Sequence, residues 1–84
     1  MRLTDKIRNY VIDEYINPAK EQGKVTVRVR AGDIHKEMGL VNRMPSICEA
    51  LETEIFRNQA LVQVINRTGP DRGSNAEWVF KIIR

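Results

Sequence analysis

Apolar residues switch between helical and alternating spacing several times in this chain, and each switch predicts a new element. Ile7, Tyr10, Val11 and Tyr15 follow helical spacing, with Ile12 and Ile16 broadening the apolar surface. Thr4 suits an N-cap and Asp5 a first helical turn. Asn17-Pro18 predicts the end of this helix, because a residue before proline is disfavoured in the α region. A polar connection follows over 18–23 and closes on Gly23. From Lys24 to Arg30 the chain alternates strictly. Val25, Val27 and Val29 point one way while Thr26, Arg28 and Arg30 point the other, which predicts a strand.

Helical spacing returns at residue 31. Ala31, Ile34 and Met38 share a face, Gly39 suits a left-handed C-terminal cap, and Leu40 supplies the hydrophobic contact that accompanies it. Asn42 or Met44 opens a second helix with Pro45 in its first turn. That helix is predicted over 43–59, with a stripe of Ile47, Leu51 and Ile55 widened by Cys48 and Phe56. Two helices joined by a turn of about three or four residues form a helix-turn-helix, whose second helix commonly enters a DNA groove. Residues 60–67 are β-branched and apolar and predict a strand. Residues 68–75 are dense in turn formers, and 77–83 alternate again, with Trp78, Phe80 and Ile82 on one side. The last two strands are expected to pair as an antiparallel hairpin with a long tip.

The order is helix, strand, helix, helix, strand, loop, strand. It describes an α+β domain over 1–84 with a three-helix core and a small antiparallel sheet. This order resembles the winged-helix family over about residues 3–83. The Ile34-Met38-Gly39-Leu40 then Ile47-Leu51 spacing is similar to the helix-turn-helix core of many prokaryotic regulators. The resemblance implies that the loop between the last two strands is the wing. It also implies a double-stranded DNA partner for a small prokaryotic, cytoplasmic transcription regulator or DNA-recognition module. The chain departs from the family in the turn. Asn42-Arg43-Met44-Pro45 stands where a Ser or Thr cap and a small polar first turn are usual, which leaves the second helix's register open by a residue.

Composition narrows the alternatives. At 42% hydrophobic and 30% charged, the chain has the make-up of a folded globule. No apolar run approaches the ~20 residues of a membrane span, and no signal-peptide pattern precedes Leu3. Cys48 has no second cysteine to bridge, in keeping with a reducing cytoplasm. A net charge of +3 permits a nucleic-acid partner without demanding one. Asp33 and Glu37 lie two positions either side of His35 and do not share its helix face, so no metal site is expected. Glu52 and Glu54 likewise do not face each other for acid–base work, and no glycine-rich phosphate loop opens a helix. Neither an enzyme, a cofactor nor a small-molecule ligand is expected.

In the DNA reading, Asn42, Arg43 and Ser46 occupy the start of the second helix. Glu49 or Ala50, Thr53 and Arg57 lie further along its outer face. Arg43 suits guanine, whose O6 and N7 a guanidinium can bond together. Arg67 and Arg72 bracket the wing beside Gly69 and Gly73, placed for phosphate or minor-groove contact. Arg28 and Arg30 either extend a basic surface from the first strand or guard its edge against aggregation. Lys36, Lys6 and Arg8 offer phosphate contacts. Glu49, Glu52 and Glu54 oppose DNA contact unless they face away or accept from a cytosine amine. The rival reading is a protein-interaction module, with Ile12 and Ile16 forming a homodimer seam on the first helix.

Overall fold

Ile7 and Val11, one turn apart, anchor the first helix, α1 (Leu3–Val11), by complete burial. Each contributes on the order of 1.5–3 kcal/mol relative to an exposed position. The computed structural model describes residues 1–83. The helical run does not stop before Pro18, as the proline rule predicted. It widens into a π turn (Ile12–Ile16) and continues as α2 (Asn17–Glu21). Asn17 keeps α geometry, at φ −63° and ψ −44°, and its N–H reaches the Ile12 carbonyl five residues back. A wider turn makes room for the proline ring where a regular α turn would set it against the carbonyl four residues earlier. The extra turn carries Ile16 into the core, where it is fully buried, and Ile12 packs against that core. The two isoleucines therefore do not form a free seam for a second copy.

Strand β1 (Thr26–Arg30) buries Val27 and Val29, while Val25, expected on the same face, precedes the strand and is 60% exposed. With β2 (Val62–Thr68) and β3 (Glu77–Ile82) it forms an antiparallel sheet in the order β1-β3-β2. The central strand sets Trp78 opposite Val29 and Phe80 opposite Val27, and on its other side Ile82 opposite Val62. A bulge between Val64 and Asn66 breaks the β2 register and leaves Val64 and Ile65 exposed on that outer strand.

The helix pair is α3 (Ala31–Glu37) and α4 (Met44–Leu51), both packed together, with α1 against α4. The long second helix predicted over 43–59 is instead two. The chain leaves helical geometry at Glu52 and Thr53 and restarts as α5 (Glu54–Ala60). Arg8 explains the break. Its guanidinium is buried, donating from Nε to the Ala50 carbonyl at 3.1 Å and from Nη2 to Thr53 Oγ1 at 3.4 Å. The Thr53 hydroxyl donates to the same Ala50 carbonyl at 3.2 Å, so the last turn of α4 is capped by side chains. The restart rotates the apolar stripe. Phe56 is buried against the Phe80 ring, 5.2 Å between centroids, while Ile55 turns outward. Among the described residues, no helix is long and apolar enough to cross a membrane.

A polar clamp ties the first helical run to α3. The Tyr10 hydroxyl donates to Glu37 Oε1 at 2.8 Å, and the Tyr15 hydroxyl donates to Oε2 at 2.7 Å. The Glu37 hydrogen bond is the main cause that raises Tyr10 above the usual phenol value, whereas burial leads for Tyr15, followed by the bond to Glu37. A phenol raised in the folded state stabilises the fold fully below the unfolded value, near pH 10, and loses that contribution as pH rises through the folded value. The urea midpoint should therefore fall above pH 10 more steeply in wild type than in the Tyr10→Phe/Tyr15→Phe double variant. Equal slopes would show that the clamp is not felt.

Candidate nucleic-acid interface

Gly39, at φ +65°, closes α3 in the predicted left-handed cap, and the Leu40 N–H returns to the His35 carbonyl at 3.0 Å. The connection to α4 then runs over 38–43, longer than the predicted turn of about three or four residues. Asn42 takes φ +53°, a left-handed geometry that asparagine tolerates better than most residues. His35, read as a plain surface residue, has a structural role here. Its Nε2 accepts the Arg43 backbone N–H at 3.3 Å, fixing the residue that precedes α4 to α3. Val41, Asn42 and Arg43 are exposed, and no side chain caps the α4 N-terminus. Among the described residues, the Arg43 guanidinium has no hydrogen-bond or ion-pair partner.

Along α4, Ile47, Cys48, Ala50 and Leu51 turn inward and Pro45 and Glu49 are exposed, with Ser46 half-buried in the first turn and Glu52 exposed just past the helix end. Glu49, not Ala50, is thus the outward position. Thr53 does not continue this face; it lies in the break, held by Arg8 and Ala50. Arg8 itself, at 6% exposure, is withdrawn from any phosphate.

The loop over 69–76 is stitched down at both ends. Ala31 N–H donates to the Ala76 carbonyl at 2.8 Å and Gly32 N–H to the Ser74 carbonyl at 2.9 Å, so the start of α3 holds the loop's return. Arg30 adds Nη2 to Asn75 Oδ1 at 2.7 Å and an ion pair with Asp33 at 3.1 Å. Gly69 sits at φ +85°, and a Cβ there would collide with the Asn75 carbonyl. On the outgoing side Arg67 bonds the carbonyls of Thr68, Gly69, Pro70 and Asp71 at 2.7–3.1 Å. The same guanidinium lies 5.2 Å over the Trp78 ring and approaches Glu52 at 3.4 Å from Nε, an ion pair without hydrogen-bond alignment. Arg67 thus organises the loop instead of standing free on it.

Arg72 is exposed and makes no ion pair among the described residues. Burial pushes the Cys48 thiol up and Glu52 adds to this, while Arg67 and Arg72 pull it the other way. Arg28 is paired with Glu77 at 2.7 Å. Lys36 on α3 is exposed. The structure thereby sorts the nine residues picked out by sequence. Asn42, Arg43, Lys36 and Arg72 are exposed and their side chains uncommitted, and Ser46 flanks them half-buried. Thr53, Arg67, Arg28 and Arg30 are engaged within the chain.

A cleft of about 260 Å³ lined by Glu52, Arg57, Val64, Arg67 and Trp78 adjoins this region. Among the described residues, no group of three or more His, Cys, Asp or Glu side chains is placed to hold a metal ion. No protein-family model, curated protein or solved structure matches the chain.

Proposed function

We propose that the chain is a winged helix that binds double-stranded DNA, as a small transcription regulator or a DNA-recognition module. In this reading α4 is the recognition helix and the loop over 69–76 the wing. One observation carries it: an exposed, unpaired Arg43 and an exposed Asn42 stand at an α4 N-terminus whose backbone His35 holds in place. A helix start with free N–H groups favours phosphate, and a guanidinium there can bond guanine O6 and N7 together. Arg72, exposed on the loop over 69–76, adds a second contact to the backbone or minor groove. Fluorescence anisotropy with a mixed-sequence duplex at low salt tests the reading. Binding is expected, with Arg43→Ala weakening it by ~1–3 kcal/mol. Absence of binding to any duplex would refute it.

A second reading, a protein-interaction module, is supported by Leu61, Val64, Ile65 and Ile83, all exposed on or beside the outer strand β2. Such a contact would be insensitive to salt or strengthened by it, the opposite of duplex binding.

A further inference from the structure

We infer that Glu49 makes this surface selective for G·C pairs by accepting a hydrogen bond from the cytosine amine in the major groove; the inference rests on the DNA-binding reading above. The exposed positions of α4 are Pro45 and Glu49, with Glu52 just beyond its end, so among the described residues the face that would meet base edges carries carboxylates and, past Arg43, no cation. Glu52 is turned toward Arg67, at 3.4 Å, leaving Glu49 as the carboxylate without an ion pair or hydrogen bond among the described residues. An uncompensated anion in a groove walled by phosphates is repelled everywhere except where a base offers a donor. The major groove holds two kinds of donor, cytosine N4 and adenine N6. Adenine's amine stands beside its own N7 acceptor, which repels a carboxylate, whereas cytosine's amine stands beside a C5–H. Cytosine is therefore the base Glu49 tolerates best. Arg43, six residues earlier and ~9 Å along the axis, would meet a guanine some base-pair steps away.

Repulsion and recognition by the same side chain give a signature of two opposite signs. Glu49→Ala removes a charge from the groove, so affinity for an A·T duplex should rise, on the order of threefold. It also removes the acceptor, so in duplexes that keep the guanine for Arg43 and differ only at the step Glu49 faces, the preference for G·C over A·T should fall from on the order of fivefold to none. A third duplex locates the reading in the major groove. Inosine·cytosine presents the same major-groove edges as G·C but lacks the guanine N2 amine in the minor groove. Wild type should bind I·C as it binds G·C, and Glu49→Gln, which keeps an acceptor without the charge, should retain part of the preference. I·C behaving like A·T, or an unchanged G·C to A·T ratio in Glu49→Ala, overturns the inference while leaving DNA binding intact. No binding of wild type to any of the three duplexes overturns the DNA reading itself.

Discussion

Arg8→Ala will lower the stability of the fold by about 3 kcal/mol, the range for removing a buried, charge-assisted set of hydrogen bonds. Its guanidinium bonds the Ala50 carbonyl, Thr53 Oγ1 and, at 3.0 Å, Asp5 Oδ1. Truncation takes a donor from a carbonyl that the fold keeps buried, and leaves a void between α1 and the α4–α5 break. Arg8→Met keeps the apolar stem, so it separates the polar loss from the packing loss. It should recover less than half of the deficit. For a domain of this size the alanine variant should melt more than about 10 °C below wild type. Urea unfolding read by Trp78 fluorescence measures both variants. A loss below about 1 kcal/mol in Arg8→Ala would mean that the guanidinium does not organise the break.

Arg67→Ala should cost about 2 kcal/mol, by releasing four loop carbonyls and the cation over Trp78. The informative variant is Arg67→Lys. A lysine keeps the charge but cannot fork onto carbonyls at several positions, because it lacks the planar donor array. If Arg67 shapes the loop over 69–76, Lys and Ala variants lose stability and duplex affinity to a similar degree. If its role were direct phosphate contact, lysine would restore most of the affinity. The measurement is paired urea unfolding and duplex titration of both variants.

The legible parts of this chain are those set by local period. The alternation through Val27 and Val29 and through Trp78, Phe80 and Ile82 gave buried strand faces where expected. Gly39 closed α3 as its position suggested. Three features were not legible, each for a physical reason. Pro18 reads as a helix stop, and only a widened π turn lets the chain pass it. Ile47, Leu51 and Ile55 keep a four-residue spacing that predicts one helix. The break between Leu51 and Ile55 depends on Arg8, forty-two residues from Ala50, a contact no local pattern encodes. Arg8 beside Asp5 looks like a solvent pair three residues apart on a helix, so nothing in the sequence marks it as buried.

The candidate site divided along the same line. Exposure at Asn42 and Arg43 follows from local turn chemistry and was expected from it. Which arginines remain free depends on cross-strand and loop partners. Arg28 meets Glu77 across the β1–β3 pair, and Arg30 meets Asn75, forty-five residues away. Helix one shows a related effect: Ile12 and Ile16 make a stripe, but the π turn carries Ile16 into the core and leaves Ile12 partly buried against it.

The salt dependence of duplex binding by wild type, Arg43→Ala and Arg72→Ala decides whether the exposed corner grips a phosphate backbone. Over roughly 50–200 mM salt, log affinity should fall linearly with log salt; Arg72→Ala should make the slope shallower by about 0.9, whereas Arg43→Ala, which removes a base contact, should lower affinity and leave the slope nearly unchanged. A wild-type affinity that does not change with salt, or a slope untouched by Arg72→Ala, would place the function of this surface elsewhere.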